Sequence, residues 1–357
     1  MVAALCLSKK TSLDEWGSFE FGKAARAYSR ARRFREWLRN PRIDPGFLLH
    51  PLTERLISKA GKHVHIALDT SILFNAFCMV RVSLIFLDRA VPLVWSVRKS
   101  KSASVPFSAY RGLLEEVAAM IPSGTQPIFL ADRGFQNASL FELLKQLGWW
   151  CRIRAKSDAP VRTRKGEAII PGKLCLKRGL PRFWRNASYG GVGGVTFGAL
   201  LPMAAGEEPW YIVSFGGDFT DIFRDYSKRF CIEEEFLDEK SGCFGLSKSR
   251  IRDEKRIERL LCVIATAAVL MVELGIETER AGERANVDTH GKRGLSYLKI
   301  GLRKLMQILH FPKLLPIWIR LSPLPFDYEP EGVSVSRKED EETARRKRKC
   351  EVYEVYD

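Results

Sequence analysis

The stretch HVHIALD, residues 63–69, decides the fold together with FCMVRVSLIFL at residues 77–87 and AVPLVWSV at residues 90–97. These stretches are rich in β-branched and aromatic residues, and the polar pair Asp88-Arg89 separates the second from the third. They predict three consecutive strands, which short connections would pair in antiparallel fashion.

The elements expected next are a helix at residues 108–120, a strand at 127–132, a helix at 138–147 and a strand at 149–155. Three antiparallel strands followed by helix, strand, helix and strand is the order of a ribonuclease-H-like core. We therefore predict an α/β fold, with a mixed sheet flanked by helices.

An all-β insertion is predicted at residues 156–217, where no helical pattern is evident. It has β-type runs at residues 195–201 and 210–215, and glycine-rich turns at Gly190-Gly191 and Gly193-Gly194. The glycine stretch SYGGVGG is not a phosphate-binding loop, because no Gly-Lys-Ser/Thr follows it. A hairpin turn is the better interpretation.

Two aspartates stand where apolar strand runs end, Asp69 after HVHIAL and Asp132 after PIFLA. Aspartate is a poor strand residue, so one at the carboxyl end of a buried strand is typically held for a ligand or a turn. The alternative for each is a plain turn former, before Thr70 or before Arg133-Gly134.

The later segment YSKRFCIEEEFLDEK spaces Tyr226, Arg229, Glu233 and Lys240 at offsets of three, seven and fourteen residues from its start. On one α-helix these offsets return to nearly the same face, which would display a carboxylate between cations and a phenol. An amphipathic surface helix with ordinary salt bridges remains the alternative. Together with Asp69 and Asp132, Glu233 makes an oxygen-only set suited to two Mg²⁺ ions, about 3.5 to 4 Å apart in such sites.

These motifs resemble the DDE transposases of bacterial insertion sequences, specifically the insertion-sequence-four family. Its signature of Tyr, two residues, Arg, three residues, Glu, six residues and Lys fits all four positions from Tyr226 to Lys240. Its aspartate regions look like LDT at residues 68–70 and DRGF at residues 132–135. Further similar stretches are PLVW at residues 92–95, PWYIVS at 209–214 and RGLSYLKIGL at 293–302.

The resemblance implies metal-assisted cleavage of DNA at element ends and strand transfer into target DNA. Asp69, Asp132 and Glu233 would be the catalytic, metal-binding residues, with Mg²⁺ as cofactor and Mn²⁺ able to substitute. One ion would activate a water or a DNA 3′-hydroxyl and the other would stabilise the leaving oxygen. The expected DNA-binding residues are Tyr226, Arg229, Lys240, Arg133, Arg30 and Arg33. The expected partner is double-stranded DNA, bound by a homodimer.

Two other classes stay open. A nuclease of the same fold would use the same carboxylates but only hydrolyse DNA. An inactive, DNA-binding derivative of a transposase would keep the charge without the activity, although all three carboxylates are intact in this chain.

Composition agrees with a polyanionic partner, because 58 Lys and Arg against 42 Asp and Glu give a formal charge of +16. The eight cysteines form no C-x-x-C pair and are typical of a reduced cytosolic protein. The apolar stretch at residues 260–276 is short for a membrane span and predicts a buried helix. We expect a cytoplasmic, nucleoid-associated bacterial protein without a membrane partner.

The predicted organisation begins with a basic helical region at residues 1–60, where a helix over residues 18–38 carries Arg30 and Arg33. The family carries further helix before this point, so we expect a shortened N-terminus. The core would follow in two parts, residues 61–157 and 218–312, around the insertion at 158–217. A second core helix is expected at residues 294–309, before an extension at residues 313–357 that is disordered from residue 334.

Overall fold

The computed structural model describes residues 1–19, 26–87, 89–204, 206–310 and 354–356 of the 357-residue chain. The α-helices are α1 Val2–Ser8, α2 Leu13–Ser18, α3 Ala27–Arg39, α4 Pro45–Lys59, α5 Arg111–Met120, α6 Ala138–Gln146, α7 Ile222–Ser227, α8 Phe230–Leu237, α9 Glu254–Arg280 and α10 Tyr297–His310. The strands are β1 His63–Leu73, β2 Phe77–Phe86, β3 Arg89–Lys99, β4 Gln126–Ala131, β5 Trp150–Arg154, β6 Val161–Arg162, β7 Ala168–Ile169, β8 Arg182–Tyr189, β9 Val192–Leu200, β10 Trp210–Phe215 and β11 Glu354–Tyr356.

The first five strands form a mixed sheet in the order β3-β2-β1-β4-β5. β1, β2 and β3 pair antiparallel, whereas β4 runs parallel to β1 and β5 runs parallel to β4. Helices flank this sheet, with α8 and α9 against β3 and α6 against β5. The prediction of an α/β fold with a ribonuclease-H-like core is confirmed.

The β-rich segment continues the same sheet. β10 pairs antiparallel with β5, and β9, β8, β6 and β7 follow in that order. Within residues 156–217, those that the structure describes include no α-helix, as the sequence predicts. Gly190 and Gly191 form the β8–β9 turn, with φ of 56° and 84°. The turn expected at Gly193-Gly194 is wrong, because both residues lie inside β9.

The helices around the core differ from expectation mainly at their ends. The single helix predicted over residues 18–38 is wrong, because α2 ends at Ser18 and α3 begins only at Ala27. Residues 20–25 between them lie outside the described part of the chain. The expected second core helix is present as α10, which packs closely on α9: a Cβ added at Gly301 would overlap the carbonyl oxygen of Met271.

The long apolar helix α9 is, within the described residues, the one helix whose length and composition would allow it to cross a membrane. Within its most apolar stretch, 78% is buried in the fold, as expected of a core helix. The disorder predicted from residue 334 falls mostly outside the described residues. It is wrong for Glu354–Tyr356, which pairs as β11 with β8.

Candidate active site

Asp69 lies on β1 beside the point where parallel pairing with β4 stops, since the last paired residues are Leu68 and Ala131. The expectation that the strand ends at Asp69 is wrong, because β1 continues to Leu73 by pairing with β2. An Asp69 side-chain oxygen accepts a hydrogen bond from the backbone N–H of Thr70 at 2.7 Å. Burial raises the pKa of Asp69 to about 6, against the attraction of Arg229.

Asp132 follows β4 directly, at the carboxyl end where a ligand-binding residue is expected. Its Oδ1 accepts the backbone N–H of Gly134 at 2.7 Å and so caps the short turn Arg133–Phe135. Asp132 lies close enough to Asp69 for its charge to help raise the pKa of that carboxyl. The turn-forming interpretation is thus confirmed for Asp132, and its role as a metal ligand stays a prediction.

The segment from Tyr226 to Lys240 is helical but is not the single α-helix predicted. α7 ends at Ser227, α8 begins at Phe230 and the last turn, Asp238–Gly242, is a π-helix. A π-turn takes more residues than an α-turn, so the predicted common face does not extend to Lys240. Tyr226 is fully buried, whereas the Glu233 side chain is 48% exposed.

Arg229 is the residue that joins the site. Its guanidinium donates to Asp69 Oδ2 at 3.2 Å and to Glu233 Oε1 at 2.5 Å, and its Nε donates to the Tyr226 hydroxyl at 3.2 Å. The arginine side chain is only 5% exposed. Burial opposes its charge, but the neighbouring phenol and carboxylates outweigh burial and raise its pKa. Two carboxylates from distant parts of the chain are thus held by one buried cation.

The other predicted DNA-binding residues lie at varying distances from this cluster. Lys240 is half-buried in the π-turn, where burial lowers its pKa. Arg133 is exposed next to Asp132. Arg30 and Arg33 lie on α3, which packs mainly against α2 and α9 rather than against the carboxylates. The clustered charges of SKSRIRDEKRIER, residues 247–259, predict an extension of the glutamate helix, and this is wrong because α9 starts only at Glu254.

A second buried network holds α7 on the sheet. Asp225 accepts from His65 Nε2 at 2.9 Å and pairs with Arg152 Nη2 at 3.1 Å. Burial lowers the pKa of His65 despite its carboxylate partner, so the imidazole is neutral and donates through Nε2. His65 thus has a structural role in holding α7, and His63 stacks on Trp150.

Sequence reasoning missed a third network, in which Arg81 of β2 contacts Glu235 and Glu239 beneath α8. Arg81 and Ser83 are alternate residues of an otherwise apolar strand, and Arg152 interrupts another. Polar residues at strand period in an apolar run are the signal that could have found these networks.

The three candidate ligands fit a hard divalent cation by their chemistry, because all offer carboxylate oxygens. Among the described residues, however, no group of three His, Cys, Asp or Glu side chains is arranged to hold a metal ion. Arg229 is the cation that lies between Asp69 and Glu233 in this structure.

A family model described as "Transposase DDE domain" matches residues 53–270, a stretch that contains all three carboxylates. The chain belongs to this transposase family. The prediction that this chain is a DDE transposase is thereby confirmed at the level of the family. No curated protein matches the chain. A solved structure of a piggyBac transposase synaptic complex with hairpin DNA is similar over 96% of this chain and 78% of that one, with 14% identity and a TM-score of 0.42.

Proposed function

We propose that this DDE transposase is of the insertion-sequence-four type, and that it cleaves DNA at element ends and transfers the strand into target DNA. The observation that carries the proposal is that Arg229 joins Asp69 to Glu233, while Asp132 lies close enough for its charge to act on Asp69. These carboxylates are 63 and 101 residues apart along the chain. Their charges act on one another, since both Asp132 and Glu233 raise the pKa of Asp69.

The proposed metal ligands are Asp69, Asp132 and Glu233, with Mg²⁺ as the natural ion and Mn²⁺ as a substitute. When bound, a pair of such ions supplies a Lewis acid for an attacking water or 3′-hydroxyl and for the leaving oxygen. Asp69 is the more buried of the two carboxylates that Arg229 joins, at 16% side-chain exposure against 48% for Glu233. We therefore assign the more buried part of the site to β1 and the more exposed part to α8.

The signature residues would hold DNA phosphates near the scissile bond. Arg229 can offer a bidentate fork, and Lys240 a point charge. In the structure the Tyr226 hydroxyl accepts from Arg229. We therefore propose that Tyr226 acts on DNA through the orientation of this guanidinium rather than by its own contact. Binding as a homodimer and residence at the bacterial nucleoid are part of the same proposal.

The test is a cleavage and strand-transfer assay on DNA that carries the sequences flanking this gene. We expect Asp69→Asn, Asp132→Asn and Glu233→Gln each to abolish cleavage and to leave DNA affinity nearly unchanged. Each change removes a metal-binding charge at nearly constant shape, whereas affinity rests mainly on lysine and arginine.

A matched control is Asp218→Asn. Asp218 caps the turn Phe219–Asp221 through the Thr220 N–H at 2.9 Å, much as Asp132 caps its own turn. This variant should cleave like the wild type. Full activity in any of the three carboxylate variants would remove that residue from the catalytic set. Cleavage without joined products would favour the nuclease, and binding without cleavage by the wild type would favour the inactive derivative.

A further inference from the structure

Arg81 stands directly opposite Asp69 in the antiparallel pair of β1 and β2. Side chains of directly opposed residues point to the same face of a sheet, so Arg81 lies on the face that carries the proposed active site. The arginine is completely buried, with 0% of its surface exposed. Its position makes it the charged residue of the sheet nearest in register to the first catalytic aspartate.

The partners of Arg81 come from α8, which carries Glu233, and from the π-turn that follows it. Arg81 Nη1 lies 2.8 Å from Glu235 Oε1 and 2.7 Å from Glu239 Oε2. The Ser83 hydroxyl, two residues along β2, donates to the other Glu235 oxygen at 2.9 Å. The rings of Trp95 and Phe236 lie 5.7 and 5.5 Å from the guanidinium carbon. Arg81 therefore fixes two successive turns of the segment between Glu233 and Lys240.

Stability alone does not explain this arrangement. Burying charges costs several kcal/mol for each ion, and replacement of a buried ion pair by apolar residues is often neutral or stabilising. Here two buried glutamates share one guanidinium, both through its Nη1. What the network does supply is geometry, because the N–H bonds of a planar guanidinium point in fixed directions and donate to carboxylates in few orientations.

An apolar interface would constrain the helix less. α8 also packs on the core through Ile232 and Phe236, but such contacts tolerate sliding and rotation. A shift of about 1 Å at a catalytic group can lower a rate about a hundredfold. The position of α8 relative to β1 and β2 therefore has to be fixed for this active site to work.

We propose that Arg81 is a positioning residue, which locks α8 onto β2 through Glu235 and Glu239 so that Glu233 faces Asp69 across the metal site. Arg81 touches neither substrate nor metal in this role. The inference rests on the proposed function, because it takes Asp69 and Glu233 to be the metal ligands.

The test replaces the whole network by apolar residues in the full-length chain, with Arg81→Met, Glu235→Leu and Glu239→Met combined. We expect an unchanged or higher melting temperature and an unchanged DNA affinity. The kcat of cleavage should fall by about a hundredfold with little change in KM, because the variant binds DNA but no longer positions the transition state. Mn²⁺ affinity, measured by electron paramagnetic resonance without DNA, should fall as well. Wild-type kcat and Mn²⁺ affinity in the triple variant would overturn the proposal.

Three further variants keep the outcome decisive. Arg259→Met removes another buried arginine, which bonds to the backbone of Leu38 and Ile43, and should leave Mn²⁺ affinity unchanged. If the triple variant does not fold, the single variant Glu235→Gln tests the positioning role instead. Its kcat should fall while its melting temperature stays constant. An unchanged kcat would refute the positioning role. Asp69→Asn is assayed alongside, because wild-type cleavage by that variant would refute the proposed function itself rather than the role of Arg81.

Discussion

At the scale of single residues, Arg229 is the side chain whose role the structure changes most. The sequence offers two roles for it, a grip on DNA phosphate or a partner of Glu233, and the structure shows the second together with a bond to Asp69. Arg229→Ala should lower the free energy of unfolding of the metal-free protein by roughly 3 kcal/mol, because it leaves a buried carboxylate without its cation. The half-exposed Glu233 adds little, which places the effect at the lower end of the usual range.

Added Mn²⁺ should raise the free energy of unfolding more for Arg229→Ala than for the wild type. A ligand stabilises the fold that binds it, and in the variant no arginine lies between the two carboxylates. Thermal melts with and without Mn²⁺ measure this difference. Arg133→Ala, at an exposed arginine beside Asp132, is the control and should melt like the wild type. An Arg229→Ala protein of unchanged stability whose DNA binding shows a lower salt slope would make Arg229 a phosphate grip only.

His65 gives the fold a pH dependence of known sign. Its pKa is lowered by burial, against the pull of Asp225 and with the help of Lys228 and Arg152. His65 therefore becomes protonated near pH 6.5 in the unfolded chain but only at lower pH in the folded chain. Stability is lost as the pH falls below 6.5, because the unfolded state then binds more protons. The decrease is at most about 1.4 kcal/mol for each pH unit.

His65→Gln can keep the hydrogen bond to Asp225 without titrating, and should flatten the dependence of unfolding free energy on pH between 7 and 5. Urea unfolding at several pH values in that interval measures the slope. His50→Gln is the matched control, because His50 is a half-exposed histidine of α4, 3.5 Å from Glu54. Equal slopes for His65→Gln and the wild type would show that folding does not shift the pKa of His65.

At the scale of elements, the sequence predicts what depends on local pattern and misses what depends on tertiary contact. The strands around Asp69 and Asp132 follow from runs of β-type residues, and β4 ends within one residue of the prediction. β1 does not end at Asp69, because pairing with β2 continues beyond the end of β4. Strand propensity cannot predict this extension of β1, because the neighbouring strand β2 supplies its hydrogen bonds.

The glutamate segment shows the same limit. Its spacing predicts one continuous helix, but α7 and α8 are separate and a π-turn holds Lys240. The sheet beneath them carries buried arginines at Arg81 and Arg152, which bind carboxylates of both helices. Those ion pairs join residues about 70 to 150 positions apart along the chain, and no local sequence pattern in the helices predicts them. The three candidate carboxylates could be named from the sequence because the motifs around them resemble those of a known family, and their catalytic role stays a prediction.

At the scale of the whole molecule, two basic stretches that the sequence presents separately meet at one cleft. The cleft has a volume of about 840 Å³ and lies between the N-terminal helices and the segment that precedes α9. Seven lysines and arginines and three acids line it, among them Arg39 of α3 and the exposed Lys248 and Arg250. Such a surplus of positive charge fits a DNA backbone, and it concentrates part of the net charge of +16.

Lys248→Ala combined with Arg250→Ala should therefore weaken DNA binding at every sequence and reduce the slope of log affinity against log salt by about 0.9 for each phosphate that the variant no longer neutralises. Stability should change little, because both side chains are exposed. Arg111→Ala is the control: its side chain is 60% exposed on α5, away from the cleft, and pairs with Glu115. Fluorescence anisotropy over a range of salt concentrations measures the slopes. If the double variant and Arg111→Ala give the same slope as the wild type, DNA does not lie in this cleft, and the net charge then acts on DNA through other surfaces.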